Sequence, residues 1–368
     1  MSALCSSVRT LPERGGERVR YAPASAFHRE LRRHVTAYFR ATGLPMRGLQ
    51  RVYVKTGVIV LWTVVSYVAL VFAAATWWQG VVAAMSFALA VAAIGFNIQH
   101  DGAHGSYSGS ARWNRIMAFG LDLLGGSSYL WRWKHNVFHH GYPNIVGADE
   151  DLDVGPLARL APTQPRQLAH RFQHIYMWVL YGCIAFKWQL VDDFRELLRG
   201  RIGSHPVPRP RGRELLLFMA GKAAFVTLWF CVPALVHPLW VVAIFYAETA
   251  FILGLVLGVV FQTAHCVEGA MFTVPGCPGH LNREWATHQV ESTVDFGRGH
   301  RLLTWYLGAL NYQIEHHLFP RISHLHYPAL APIVEAVCRQ YGVRYRALPT
   351  FAAAVAAHYR WLRRLAVA

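Results

Sequence analysis

Charged side chains and cysteine pairs are both scarce in this sequence, and each shortage excludes a class of protein. Only 15% of the residues are charged and 54% are hydrophobic, which is above the range of soluble globular domains. The six cysteines form no CxxC pair, so neither a zinc ribbon nor a thioredoxin-like redox pair is expected. The N-terminal stretch is basic and mixed in polarity, so we expect no cleavable signal peptide.

Long apolar runs are present instead, and four of them are long enough to cross a bilayer, which needs about 20 residues. They are Val54–Thr76, Val81–Ile98, Leu215–Val236 and Leu239–Thr263. Only a few residues separate the two runs of each pair, so each pair predicts a tight antiparallel hairpin. Trp77, Trp78 and Trp240 fall at the predicted turns, where aromatic belts are found in membrane proteins.

The basic residues indicate how the spans are oriented. Of 36 Lys and Arg, ten lie in residues 1–51, thirteen in 99–212 and ten in 265–368, whereas the hairpin turns carry none. The positive-inside rule therefore places both termini and the central loop in the cytoplasm, most simply of a bacterial inner membrane. Because the charge flanks apolar runs, the net +16 indicates an anionic membrane face, and we expect no nucleic-acid partner.

The predicted fold is an all-α integral membrane protein with four transmembrane helices, arranged as two hairpins beneath a cytoplasmic helical cap. Two weaker apolar segments, Ile116–Leu130 and Phe172–Leu190, are predicted as helices at the membrane interface or under the cap. The expected segments are a basic N-terminal arm with an amphipathic helix (1–51), the first hairpin (52–98), the cap (99–212), the second hairpin (213–264) and a cytoplasmic C-terminal region (265–368).

One helix is predicted within the N-terminal arm, from Ala26 to Ala41. Ser25 is suited to cap its start, and Gly43 is suited to end it. Its several arginines fit either a lipid headgroup surface or a solvated face.

Histidines cluster near the predicted cytoplasmic ends of the spans and in the cap. HDGAH follows the second span, HNVFHH lies in the central loop, FQTAH ends the fourth span and QIEHHLFP lies near the C-terminus. The eight candidate metal ligands in these segments are His100, His104, His135, His139, His140, His265, His316 and His317.

The spacing of these histidines predicts a site for two metal ions. His100 and His104 are four residues apart, so both rings lie on one helix face, and His135 and His139 repeat the spacing. His140 then lies about a quarter-turn round the helix, where it reaches a neighbouring metal. Eight imidazoles from four segments exceed the needs of one metal ion. Imidazole suits Zn, Cu, Fe and Ni, so the residues alone leave the element open.

Five further residues are candidates for a supporting role, or for metal contact, at this site. Gln313 lies three and four residues before the last two histidines and shares their helix face. His288 is a candidate ligand, ring-bonding partner or substrate contact. Asp101, Glu268 and Glu315 stand close to ligands in the sequence, and ligating imidazoles usually donate their second N–H to a carboxylate or a carbonyl.

The three motifs HDGAH, HNVFHH and QIEHHLFP resemble the histidine boxes of membrane-bound fatty acyl desaturases. The third box begins with Gln313 where many relatives carry histidine, which resembles the front-end branch of that family. The flanking segments GYPNIVGADEDLD, EWATHQV and LFPRISHLHYPAL are similar to its bacterial members, and the resemblance covers roughly residues 50–345.

This resemblance implies two iron ions, O2 as co-substrate and removal of hydrogen from two adjacent methylenes of an acyl chain. The acyl group would be carried by CoA, acyl-carrier protein or a lipid. The sequence shows no HPGG motif of a fused cytochrome b5 domain, so electrons are expected from a separate donor, such as ferredoxin or cytochrome b5 with its reductase.

Two kinds of rival function remain open from the sequence. One is a hydroxylase or ketolase of the same iron class, acting on a lipid, a carotenoid or an alkane. The other is a membrane metal transporter or a haem protein. Transport predicts ionisable residues inside the spans, and only Lys55, Lys222 and Glu248 stand there.

We expect reporter fusions to reveal one cytoplasmic face and one opposite face. A reporter fused after Ala368 should report a cytoplasmic location, and one inserted near His237 should report the opposite side, because the basic residues avoid that turn. The same signal from both fusions would refute the predicted topology.

Overall fold

A computed structural model describes residues 19–273 and 280–367 of the chain. The first part of the predicted basic arm, and with it Cys5, lies outside the described residues, as does Cys277.

The described chain is largely helical, with three short strand pairs. The helices are α1 (Ala26–Thr42), α2 (Gln50–Ala73), α3 (Trp77–His104), α4 (Ala111–Ala118), α5 (Gly120–Leu123), α6 (Ser128–Trp131), α7 (Gln173–Gly182), α8 (Ile184–Lys187), α9 (Asp193–Arg199), α10 (Arg213–Ala234), α11 (Leu239–His265), α12 (Trp285–Ser292), α13 (Arg301–Tyr306), α14 (Gln313–Leu318), α15 (Tyr327–Tyr341) and α16 (Phe351–Val367). The strands are β1 (Arg20–Ala22), β2 (Arg201–Ile202), β3 (His205–Pro206), β4 (His280–Glu284), β5 (Asp295–Phe296) and β6 (Ala347–Leu348). β1 pairs with β4 and β5 with β6 in parallel, and β2 pairs with β3 antiparallel.

Four helices are long and apolar enough to cross a bilayer, which confirms the four predicted spans. They are α2, α3, α10 and α11. At their C-terminal ends two of them extend beyond the predicted apolar runs, since α3 ends at His104 and α11 ends at His265. The structure therefore builds the first histidine box and His265 as the last turns of two spanning helices.

The first hairpin turn is shorter than the sequence indicated. Trp77, Trp78 and Gln79 were expected at the turn, but they form the first turn of α3. The side chain of Gln79 accepts hydrogen bonds from the backbone N–H groups of Ala75 and Thr76. This capping arrangement satisfies donors that a helix start otherwise leaves free. The prediction was wrong here because a capping glutamine and a turn glutamine look alike in sequence.

α3 and α11 form the inner pair of spans, and α2 lies outside them with most of its surface exposed. At the turn end, the ring of Trp77 lies 5.7 Å from that of Trp240 and 5.5 Å from that of Phe245. Since the inner pair carries histidines at the opposite end, the packing of these two helices positions part of the histidine cluster.

A cavity of about 240 Å³ lies between the hairpins, and none of the eight clustered histidines lines it. It reaches from Trp77 and His237 at the turns to Phe87 inside the spans. Beyond Phe87 the spans pack through buried Val91 and Leu253. Packed side chains therefore separate this cavity from the histidine cluster.

The N-terminal helix α1 starts at the predicted Ala26 and ends at Thr42, one residue beyond the predicted Ala41. The side chain of Ser25 accepts a hydrogen bond from the N–H of Phe27, and Gly43 ends the helix in a left-handed conformation with φ 64°. Its apolar residues, Phe27 and Leu31 among them, are buried against α15 and neighbouring segments. The arginines of α1 point outwards, so the helix closes the cap with its apolar face and presents basic groups on its surface.

The two weaker apolar segments remain outside the set of spanning helices. Residues 116–130 are divided among short helices and a turn at Gly125, where φ is 91°. α7 packs against α11 on one face and exposes Ile175 and Val179 on another. An apolar face that points away from the protein fits the predicted interfacial position of this segment.

Close backbone contact between α7 and α11 requires a glycine at position 254. A Cβ atom on Gly254 would lie 2.6 Å from the carbonyl oxygen of Tyr181 and 2.7 Å from that of Gly182. We expect Gly254→Ala to destabilise the protein by about 1–3 kcal/mol, the usual cost of overpacking. Thermal unfolding in detergent would show this as a lowered midpoint.

Gly57→Ala is the matched control for this variant. Gly57 also lies in a span, but a Cβ there would meet nothing within 4 Å. Its midpoint should stay at or above that of the wild type, since alanine favours a helix more than glycine does. An equal fall of the unfolding midpoint in Gly254→Ala and Gly57→Ala would argue against the close contact between Gly254 and α7.

Candidate metal centre

Four chain segments bring the eight predicted histidines into one buried cluster. α3 supplies His100 and His104, and the end of α11 supplies His265. The segment after α6 supplies three more, and α14 supplies the last two. All eight side chains are buried, so the structure brings together every residue predicted as a ligand.

The second histidine box lies in a π-helix, where the sequence predicted an α-helix. Residues Arg132–His139 have this form, and the N–H of His140 donates to the carbonyl of His135 at 3.0 Å. A π-helix has more residues in each turn, so residues four and five apart both return near the same face. The ring of His135 consequently lies 5.3 Å from that of His139 and 4.8 Å from that of His140.

The ring nitrogens form overlapping sets, and two of these sets share no residue and each suit one metal ion. One group contains His100, His104, His135 and His316, and its nitrogens lie within 4.8 Å of one another. The other group contains His139, His265 and His317.

His140 lies between the two groups and forms a further set with His316 of the first and His317 of the second. Its ring centroid is 4.5 Å from that of His104 and 4.2 Å from that of His317. Two adjacent nitrogen-rich pockets with an imidazole between them match the predicted pair of metals better than a single site.

Unpartnered nitrogens in the cluster show that the residues fit metal ions. Nε2 of His104, of His316 and of His317 and both ring nitrogens of His140 are buried without a hydrogen-bond partner among the described residues. Nε2 of His100 and Nε2 of His135 face each other at 3.2 Å. Buried polar atoms are rarely left unpaired unless an ion, a water or a function accounts for them.

Burial also keeps most of these rings in the neutral form that metals require. Burial, with the adjacent imidazoles, lowers the pKa of His135, His140, His316 and His317 well below the ordinary value. Neutral imidazole is the form that binds a metal, so these rings are ready to act as ligands at neutral pH.

His139 has a different environment. Burial alone would lower its pKa, but the carboxylates of Asp149 and Asp151 raise it above the ordinary value. Their oxygens lie 3.2 and 3.3 Å from Nδ1 of His139. This contact fixes a proton on Nδ1 and leaves Nε2 to face the metal group.

Two other histidines of the cluster, His316 and His317, also have a partner on one ring nitrogen. Nδ1 of His317 lies 2.8 Å from Oε1 of Gln289, and Nδ1 of His316 lies 3.4 Å from the hydroxyl of Tyr327. Partners of this kind orient metal-binding rings. The motif EWATHQV drew attention to His288, but the residue that contacts a ligand is its neighbour Gln289.

Gln313 lies beside His265. Its amide nitrogen is 3.0 Å from Nε2 of His265, while Nδ1 of His265 has no partner among the described residues. The glutamine is therefore placed to orient the His265 ring.

Asn144, which the sequence analysis did not select, connects three parts of the site. Its side-chain amide donates to the carbonyls of His265 at 2.9 Å and of Ser292 at 3.0 Å. Its backbone N–H donates to Asp149 at 2.9 Å, and its φ of 57° is uncommon for any residue but glycine. The segment after the second box is thus tied to the end of α11. The GYPN turn was the only available signal, and it did not reveal these distant partners.

The other four supporting candidates have hydrogen-bond or ion-pair partners outside the two histidine groups. Nε2 of His288 lies 2.8 Å from the carbonyl of Pro143, and Asp101 contacts His324 instead of a predicted ligand. Glu315 accepts a hydrogen bond from Tyr345. Glu268 was expected beside His265, but it pairs with Arg360 at the protein surface. Residues adjacent in sequence on a helix point in different directions, so proximity along the chain was a poor guide here.

Comparison with known proteins gives one family across most of the chain. Residues 75–349 match the family model described as "Fatty acid desaturase". The chain is 37% identical to the sn-1 linoleoyl-lipid 6-desaturase of Arthrospira platensis, over 95% of both chains. It is also 37% identical to the enzyme of that name from Synechocystis sp., over 94% of this chain and 97% of the relative.

A moss protein shows a similar likeness. The acyl-lipid (8-3)-desaturase of Physcomitrium patens is 36% identical over 92% of this chain and 71% of its own length.

We expect His265→Ala to lose bound metal, because the group with His139 and His317 would keep only two imidazoles. Gln313→His should retain most of its metal, since it adds an imidazole beside the same group. Metal content per chain, measured after purification, decides between these outcomes.

His288→Ala is the control for that experiment. Its ring bonds to the Pro143 carbonyl and belongs to neither group, so its metal content should stay close to that of the wild type. Full metal in His265→Ala together with loss in His288→Ala would reverse the two assignments.

Proposed function

Because the chain belongs to the fatty acid desaturase family, we propose that its histidine cluster binds two iron ions and, with O2 and two electrons, introduces a double bond into an acyl chain. The observation that carries this proposal is the pair of adjacent histidine groups, bridged in space by His140. Acyl desaturation follows from the family, and the number and identity of the metals are the proposed part.

The donor set supports iron in a redox role. It consists almost entirely of imidazole nitrogen, which suits iron among other transition metals. When bound, the metal pair would supply O2 activation and removal of one hydrogen from each of two adjacent methylenes, so that these two hydrogens, O2, two electrons and two protons end as two waters.

The side chains around the cluster have three tasks in this reaction. Asp149 and Gln289 hold the outer nitrogens of His139 and His317 and so fix the directions of these rings. Burial of the cluster excludes bulk water, which protects a reactive oxidant from side reactions. The ring of Trp131 stacks on that of His135, with 4.6 Å between the ring centroids, and so restricts rotation of the imidazole.

We further propose that the acyl group is part of a membrane lipid and that the new bond forms on the carboxyl side of an existing one. The two cyanobacterial relatives are named for a linoleoyl lipid and for position 6, and they align over nearly their whole length. Electrons would come from a separate donor, such as ferredoxin or cytochrome b5 with its reductase.

The same proposal includes the cytoplasmic side of a bacterial inner membrane. The histidines lie where α3 and α11 end, and this is also the side from which α2 and α10 begin. The exposed arginines of α1 belong to this cap. A cytoplasmic site would give soluble electron donors direct access to the protein.

Expression in a bacterium that lacks polyunsaturated fatty acids would test the function. With linoleate supplied, cells carrying the wild-type protein should accumulate a product that has lost two hydrogens, with the new bond at position 6. His135→Ala is the matched inactive control, because it removes a ligand from the four-histidine group. Mass analysis of the fatty acids and of intact lipids provides the measurement.

Other products would identify other functions. Addition of one oxygen atom would indicate a hydroxylase and contradict desaturation. If the new bond appears on acyl-CoA or acyl-carrier protein before it appears in intact lipids, the lipid-bound substrate is refuted while desaturation stands.

A further inference from the structure

Lys55 is a charged residue inside a membrane span, and the reaction described above does not use it. It lies in α2, and only 6% of its surface is exposed. Its Nζ is 3.0 Å from Nε2 of His324, and it lies 5.3 Å from the centre of the Trp305 ring. A charge within a span is costly, so such residues usually have a partner and often a function.

His324 continues this contact towards the first histidine box. Its Nδ1 lies 2.8 Å from Oδ2 of Asp101, the residue that follows His100. Since an ammonium group only donates, Nε2 of His324 accepts from Lys55 and Nδ1 carries the proton donated to Asp101. All three side chains are buried. Lys55, His324 and Asp101 therefore form one hydrogen-bonded chain across three segments.

The last turn of α3 is held on a second side by close packing. A Cβ on Gly102 would lie 2.6 Å from the backbone nitrogen of Ala118 and 2.8 Å from the carbonyl oxygen of Asn114. Thus the backbone of α4 fixes one side of this turn, and His324 fixes the carboxylate of Asp101. Rotation of the turn would move both His100 and His104.

We propose that Lys55, His324 and Asp101 form a positioning chain that holds the first histidine box in the orientation needed for metal binding. Lys55 supplies the positive charge that balances buried Asp101, and His324 lies between them and hydrogen-bonds to both. The part of this proposal that concerns metal binding rests on the proposed function, whereas the contacts among the three residues do not depend on it.

The chain provides a matched comparison in its second buried span lysine. Nζ of Lys222 lies 2.7 Å from Oδ2 of Asp193, and both side chains are buried. Lys222 also donates to the carbonyl of Gly125, and Asp193 also accepts from the indole N–H of Trp188. Removing the lysine leaves a buried carboxylate without its counter-charge, which is strongly destabilising in general. Neither Lys222 nor Asp193 contacts a histidine box, so this variant reports the cost of losing a buried span lysine whose partners lie outside the boxes.

The experiment compares Lys55→Met with Lys222→Met in the full-length iron-loaded protein. Competition with a chelator measures the affinity for iron. We expect a fall of about 10–100-fold in Lys55→Met, the range for losing a residue that orients ligands, and little change in Lys222→Met. Both variants should unfold at lower temperature. Equal iron affinity in the two variants, whether normal or reduced, would overturn the proposal.

The double variant Lys55→Met/Asp101→Asn tests the role of charge. It removes both charges and keeps an oxygen that accepts from His324, so iron affinity should return most of the way to the wild-type value. A double variant as weak as Lys55→Met would refute charge balance as the reason for the effect.

Unfolding of metal-free protein separates this proposal from the proposed function. The midpoint shifts of Lys55→Met and Asp101→Asn should be non-additive in the double variant, as expected for coupled residues. Additive shifts would overturn the positioning chain. Wild-type protein that binds no iron would refute the proposed function, and non-additive shifts would still support the contact chain.

Discussion

The rest of the structure depends on a group of imidazoles that must be buried, neutral and correctly aimed at the same time. A buried polar ring is costly unless its nitrogens are partnered, and a charged ring costs more. Burial lowers the pKa of His135, His140, His316 and His317, which removes the charge but not the need for partners. The outer nitrogens of His139, His316 and His317 satisfy that need with protein groups, whereas both nitrogens of His140 have no partner among the described residues. The residues around the cluster either bury the imidazoles or give a hydrogen-bond partner to one of their nitrogens.

Histidines at the ends of packed helices meet this requirement, because the helix holds each ring in place while its ring nitrogens still face the neighbouring segments. The inner spans α3 and α11 pack against each other, and each ends in a histidine of the cluster, His104 and His265 respectively. The π-helix of the second box lets His135, His139 and His140 face a common centre. The spanning helices therefore form a frame, and the histidine cluster lies where α3 and α11 end.

Sequence reasoning was effective where a property repeats along the chain and weak where it depends on distant contacts. Hydrophobic length predicted the four spans, and i,i+4 spacing predicted the pairing of His100 with His104. Local sequence does not distinguish a π-helix from an α-helix, so the shape of the second box was missed.

The orienting partners were largely missed for a related reason. Gln289 and Tyr327 reach their ligands from other segments, and Asn144 joins residues more than a hundred positions away. Glu268 and Glu315 were selected because they are near ligands in sequence, but each points to another partner. Since the eight histidines come from four segments, the cluster is complete only in the folded chain. A metal ion bound there would therefore add directly to the stability of the fold, as it does wherever the unfolded chain lacks a preformed site.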